Sequence, residues 1–232
     1  MIALLDADTM AYRAAAACEE EDVTAAYHTV DSIITGALLS CDYEDKWYDQ
    51  WKLFLTGDTN FRKTIATTAP YKGNRTQPKP KHLKKVKAYL KKHWKAVVAV
   101  NEEADDLIAI ESTKLQHQCC IISVDKDFKQ IPTHFYNYVK REHLFITPEE
   151  AIRFFYQQIL MGDSADNIIG IKGVGPVKAA RMLEEVVTEA DMFNVCVEAY
   201  EGNVDRVVEN GRLLWLRRYK GQMWTPPTKE QQ

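Results

Sequence analysis

MGDSADNIIGIKGVGPVKAARML, residues Met161–Leu183, packs two acidic residues, a glycine turn and a helix start into one short run. Asp163 and Asp166 are three apart, so a helical turn there would put both carboxylates on one face, able to share a cation. Gly173-Val174-Gly175 reads as a tight turn, with Pro176 at the first position of a helix running to Leu183. Such a turn aims backbone N–H groups outward, and the positive helix end favours a phosphate in front of them. Lys172 and Lys178 flank the same place. Lysine in a first helical turn opposes the helix dipole, which points to an external anion as its partner. Taken alone, the glycine turn fits any helix-turn-helix.

Upstream, strands and helices alternate. Apolar runs at Ile2–Leu5, Lys52–Thr56, Ala96–Val100, Cys119–Val124 and Phe135–Val139 read as strands. Helical patterns cover about 9–18, 24–41, 103–115 and 147–161, the last opened by Thr147-Pro148-Glu149-Glu150. That order predicts an α/β fold: a mostly parallel central sheet flanked by helices.

In such a sheet, functional groups collect at the carboxyl ends of the strands, where Asp6, Asp58 and Asp125 each follow an apolar run. Glu103, Asp105 and Asp106 open the helix after the third strand, and Asp127 lies two residues past Asp125, on the same side if the strand extends that far. With Asp163 and Asp166 these carboxylates cannot share a pocket fully ionised without cations. An all-oxygen set with no adjacent histidine favours Mg2+ or Mn2+ over zinc.

The net charge of −3 conceals a concentrated basic strip: Lys72 to Lys95 holds ten lysines and arginines and no acidic residue. A polyanion is the natural partner of such a strip. The five cysteines show neither CxxC spacing nor companion histidines at zinc-site spacing, and read as buried thiols of a reducing compartment. No apolar run is long enough to span a membrane, and MIALLDADTM lacks the pattern of a signal peptide.

GDSADNIIGIKGVGPVKAA resembles the helix-hairpin-helix signature of the 5′-nuclease (flap endonuclease) superfamily, which includes phage 5′-exonucleases and the 5′-nuclease domain of bacterial DNA polymerase I. The resemblance spans about Ile2 to Val187. LLDADTMAYRA is similar to the first motif, with Asp6, Tyr12 and Arg13 in register and Ala7 where the family usually has glycine. GDTNFRK carries Asp58 and Arg62, YKGNR carries Tyr71, Lys72 and Arg75, and EADD and SVDKDF supply the next acidic motifs.

The resemblance implies a PIN-like nuclease core over residues 1–160 with a basic arch-like segment at 70–95. A helix-hairpin-helix module and C-terminal helices follow over 161–224; the tail Thr225–Gln232, with Pro226 and Pro227, reads as disordered from its composition. The resemblance implies two Mg2+ or Mn2+ ions held by Asp6, Asp58, Glu103, Asp105, Asp106, Asp125, Asp127, Asp163 and Asp166. Lys72, Arg75 and Arg62 become the catalytic cations. Tyr71, Lys84, Lys85, Lys172, Gly173, Gly175 and Lys178 become DNA contacts, with a K+ ion at the hairpin. The implied activity is 5′-to-3′ exonuclease or flap cleavage of duplex DNA at 5′ ends, nicks or flaps, or of an RNA–DNA hybrid.

The implied protein is a cytoplasmic monomer standing alone, as in a bacteriophage or a short bacterial paralogue, and in the host cytoplasm if phage-encoded. The thirty or so residues from Lys72 to Glu103 are short for a full arch, though HLKKVKAYLKKHWK fits one amphipathic helix. A PIN-type ribonuclease would share the acidic α/β core without needing the hairpin. A non-catalytic binder of branched DNA would share the basic strip without turnover.

Overall fold

The computed structural model describes residues 1–41 and 50–227. In chain order its elements are β1 (Ile2–Asp6), α1 (Ala7–Ala17), α2 (Val23–Ser40), β2 (Gln50–Leu55), α3 (Arg62–Ile65), α4 (Leu83–His93), β3 (Val97–Val98), α5 (Ala104–Lys114), β4 (Cys119–Ile122), a 3-10 turn (Lys126–Gln130), β5 (His134–Asn137), β6 (Glu142–Phe145), α6 (Pro148–Met161), β7 (Gly162–Asp163), β8 (Ile168–Ile169), α7 (Pro176–Met182), α8 (Glu189–Ala199) and α9 (Val204–Leu214). Of the tail expected to be disordered, residues 228–232 lie outside the described residues.

The chain forms two compact units. The first comprises Met1–Asn60 and Gln77–Thr147, the second Phe61–Thr76 and Pro148–Gln232. This differs from a boundary at residue 160, because α6 buries Phe155, Tyr156, Ile159 and Leu160 in the same core as Cys196, Val207 and Leu214 of α8 and α9.

In the first unit a six-stranded sheet has the order β3-β2-β1-β4-β5-β6. Every pairing is parallel except β5 with β6. β1 is central, Leu5 lying opposite Leu53 on one side and Ile122 on the other. Ala3, Leu4, Leu5 and all of β4 are buried, as expected of parallel strands covered on both faces. Five small or slim residues of α1 (Ala7, Met10, Ala11, Ala14 and Ala15) face this core.

The basic segment does not project as an arch. Residues 77–95 belong to the first unit, where α4 buries Leu83, Val86 and Leu90, spaced by three and four along one face. Tyr89 stacks between Tyr27 and His93, with ring centroids 4.5 and 4.4 Å away. Tyr89 Oη and Trp94 Nε1 each donate to Asp31 of α2 at 2.7 Å. Lys84, Lys85, Lys91 and Lys92 remain exposed on the outer face.

The second unit packs α6 against α7, α8 and α9 around an aromatic cluster, with Phe155 4.8 Å from the Trp215 ring and 5.4 Å from Trp224, both edge-on. Its short ribbon β7–β8 corrects the expectation of a helical turn at Asp163 and Asp166. Asp163 ends one strand, and its Oδ1 accepts from the N–H groups of Ala165 (2.7 Å) and Asp166 (3.3 Å), closing the turn. The next turn is the glycine one. Val174 N–H bonds Ile171 O at 3.1 Å, and Gly173 adopts φ +77°, a conformation that favours glycine. Gly175, by contrast, is extended and caps α7.

Candidate active site

In the first unit Asp6, Asp8 and Asp125 come together where the sheet hands over to helices. Asp6 is both the last residue of β1 and the N-cap of α1, its Oδ1 accepting from the N–H of Asp8 at 3.1 Å. Its Oδ2 accepts from Ser123 Oγ at 2.7 Å, and Ser123 Oγ in turn accepts from Asp125 N–H at 3.0 Å. Asp6 is only 2% exposed. Burial, then the charges of Asp8 and Asp125, push its carboxyl up to about 7, against the hydrogen bonds from Ser123 and Thr9. A carboxyl so placed binds either a proton or a cation.

Asp125 caps the 3-10 turn, its Oδ1 accepting from Asp127 N–H at 2.9 Å. The strand therefore does not continue to Asp127, as alternation had suggested; β4 ends at Ile122. At the start of α5, Glu103 and Asp106 form a capping box, Asp106 Oδ2 accepting from Glu103 N–H at 3.0 Å. Both are buried, while Asp105 is half-buried and Asp58 lies exposed in the loop leaving β2.

Two residues of this region escaped the sequence reading. Asp8 accepts from Thr56 N–H at 2.8 Å, and Thr56 Oγ1 accepts from Ala104 N–H at 2.9 Å, tying the ends of β1, β2 and α5 together. Lys87 of α4 pairs with Asp8 at 2.5 Å. Asp8 stood in plain view two residues from Asp6. Lys87 carried no local signal, because it is an inward-turned member of a run of lysines.

In the second unit the YKGNR loop is clamped to the GDSADN turn. Tyr71 Oη donates to Asp166 Oδ2 at 2.6 Å and Arg75 Nη2 to Asp166 Oδ1 at 2.6 Å. Lys72 N–H bonds Asp166 O at 2.8 Å, with its ammonium 3.6 Å from Asp166 Oδ2 and 5.0 Å from the Tyr71 ring centre. Asn74 reaches Ser164 O at 2.6 Å and Asn167 reaches Pro70 O at 2.9 Å. Two motifs some ninety residues apart in the chain thus form one structure. Lys72 has φ 56°, a left-handed conformation sustained by these bonds.

Arg62 corrects an expectation. It is 2% exposed, and its guanidinium donates to Leu213 O and Trp215 O, both at 2.8 Å, at the carbonyl-rich end of α9. It anchors a helix instead of presenting a cation. Lys172, Gly173, Gly175 and Lys178 are exposed, and a Cβ at either glycine would meet no protein atom within 4 Å.

Residues 1–157 match the family described as the 5′-3′ exonuclease, N-terminal resolvase-like domain. The chain belongs to that family. Among curated relatives, flap endonuclease Xni of Shewanella woodyi is 31% identical over 180 residues, covering 70% of this chain and 69% of its own length. The chain spans 59% and 68% of the Xni proteins of Shewanella halifaxensis and Shewanella pealeana. The fold extends beyond the family match. The T5 5′-exonuclease solved with zinc as its divalent metal superposes with a TM-score of 0.71 at 17% identity, over 92% of this chain and 88% of that one. The bacteriophage T5 D15 flap endonuclease, solved as a pseudo-enzyme-product complex with DNA and metal ions, gives 0.68 at 16% identity over the same shares.

The raised Asp6 carboxyl has a measurable consequence. A carboxyl with a folded pKa near 7 and an ordinary value of 3.8 when exposed stabilises the metal-free fold fully below pH 3.8. That contribution is lost as pH rises through about 7. A divalent cation held by Asp6 would reverse the trend, because it would bind the ionised form. The rise in melting temperature on adding Mg2+ is therefore expected to grow between about pH 5 and pH 8 in the native chain, and to flatten in Asp6→Asn. A magnesium shift independent of pH would remove Asp6 from the metal site.

Proposed function

We propose that this protein is a metal-dependent 5′-nuclease that hydrolyses phosphodiesters of DNA at 5′ ends, nicks and flaps, leaving 5′-phosphates. The observation that carries the reading is the buried Asp6 carboxyl, flanked by Asp8 and Asp125 at the carboxyl end of the central strand. Asp6, Asp125, Asp127, Asp58, Glu103, Asp105 and Asp106 are the oxygen donors for divalent cations, Mg2+ or Mn2+, with Asp163 and Asp166 as further candidates. Two such ions would supply Lewis acidity for activating water and offsetting charge at the phosphate.

The chain's own residues do the rest. Ser123 and the α1 amides orient Asp6. Asp166 already accepts from Tyr71 and Arg75, so its first role is to hold the YKGNR loop in shape. The loop presents Lys72 as the half-buried cation for the scissile phosphate, with Arg75 beside it. Arg62 serves as a positioning residue through α9. Exposed Lys84 and Lys85 on α4 and Lys172 and Lys178 beside the glycine turn meet backbone phosphates, which position a duplex without reading its sequence. A K+ ion at the hairpin, an RNA–DNA hybrid as alternative substrate, a monomeric state and a cytoplasmic location complete the proposal. No helix among the described residues is long and apolar enough to cross a membrane.

Labelled nicked, flapped and blunt duplexes, an RNA–DNA hybrid and single-stranded RNA, each incubated with Mg2+ and then with EDTA, test the reading. Magnesium-dependent release of products from the 5′ end of the duplex substrates is the expected result. Cleavage confined to single-stranded RNA would instead identify a ribonuclease. Tight duplex binding with no turnover would identify a binding protein.

A further inference from the structure

Away from the carboxylates, three soft ligands converge in the first unit. Cys41, the C-cap of α2, places its Sγ 3.4 Å from the Sγ of Cys120 on β4, and Cys120 Sγ lies 3.9 Å from His143 Nε2 on β6. One ligand atom from each of the three falls within 4.8 Å of the others. Around a tetrahedral zinc, bond lengths of about 2.3 Å to sulfur and about 2.0 Å to nitrogen put neighbouring sulfurs about 3.8 Å apart and sulfur and nitrogen about 3.5 Å apart. The two edges at Cys120, 3.4 and 3.9 Å, lie within about half an ångström of those values. Cys41 and Cys120 are fully buried and His143 is half-buried, which leaves a side for the ion to enter.

We propose that Cys41, Cys120 and His143 form a binding site for a thiophilic divalent cation of the zinc class, distinct from the hard-cation site at Asp6. Binding releases the two thiol protons to solvent, and the two thiolates cancel the charge of the cation. The buried site is then neutral overall, avoiding the cost of an unpaired buried charge. Imidazole completes a Cys2His set, with a water at the fourth position. The ion would join the end of α2 to β4 and β6. It would sit toward the amino end of the sheet, because Cys120 pairs with Ala3, three residues before Asp6. That separation, about 10 Å along the strand, leaves the Asp6 region untouched.

Cobalt is the probe. Reduced, EDTA-treated full-length protein titrated with Co2+ is expected to develop a thiolate-to-cobalt charge-transfer band in the near ultraviolet and the visible bands of tetrahedral cobalt. Saturation is expected at one equivalent, with displacement by Zn2+ and none by excess Mg2+. Cys41→Ser and Cys120→Ser should abolish the charge-transfer band or reduce it to a single-thiolate remnant. His143→Gln, at a half-buried position that the fold tolerates more readily, should weaken cobalt binding about tenfold or more. Magnesium-dependent activity should stay within about twofold in all three, since none of them contributes to the Asp6 region. The proposal is overturned if no thiolate band forms, if the full band survives Cys120→Ser, or if His143→Gln binds cobalt as tightly as the native chain. It is equally overturned if oxidation to a Cys41–Cys120 disulfide, seen as a mass loss of two hydrogens, proceeds unchanged in the presence of saturating zinc.

Discussion

Asp6→Asn is expected to lower the single-turnover cleavage rate in Mg2+ by about a thousandfold, with duplex affinity in Ca2+ within a fewfold of native. Asparagine is itself a good N-cap, so the bond to the Asp8 amide can persist and α1 keeps its start. The amide cannot supply the ionised oxygen that the proposed metal site requires. Because the exposed lysines proposed to meet the duplex lie on α4 and beside the glycine turn, affinity should not follow rate. Should affinity fall in step with rate, Asp6 would be a structural residue and the cluster would need another centre.

The second large effect separates two kinds of lysine. Lys72→Ala should cost on the order of a hundredfold in single-turnover rate, the scale of removing one preorganised donor from a developing charge. Lys72 is held in place by its left-handed backbone and its bond to Asp166 O. Lys85→Ala, on the exposed face of α4, should instead flatten the salt dependence of binding by about one unit of logarithmic slope and leave the rate at saturation unchanged. Measured side by side, with affinity in Ca2+ and rate in Mg2+, equal losses of affinity alone in both variants would reduce the basic strip to an electrostatic tether.

Much of this was legible in the residues. The apolar run before Asp6 announces a buried strand, and the acid that ends it could only sit at a strand terminus. The stripe Leu83, Val86 and Leu90 forecasts α4 as an amphipathic helix, but periodicity does not say what a helix packs against. Its docking onto α2 through Tyr89, Trp94 and Asp31 depends on contacts some sixty residues apart. The antiparallel β6 carries the pattern Glu142-His143-Leu144-Phe145, too short and too polar to read as a strand. At Asp163 and Asp166, i and i+3 spacing suggested a helix because nothing local reveals that Tyr71 and Arg75 will claim one of the carboxylates. Arg62 was misread for a related reason, its true partners being carbonyls some 150 residues ahead. Likewise, the Cys41, Cys120 and His143 cluster is invisible to any search for closely spaced ligands.

The excursion of residues 61–76 into the second unit bears on how the molecule is made. A ribosome delivers YKGNR before the whole of residues 77–147, yet Ser164, Ala165 and Asp166, which hold it, emerge only after them. At about 5–20 residues per second the loop waits several seconds for its partner, during which Tyr71 has no core to enter. Neither half of the gene encodes a unit that can be excised as one contiguous piece. Any fragment cut at residue 147 would carry residues 61–76 as an orphaned segment, without the residues that hold them.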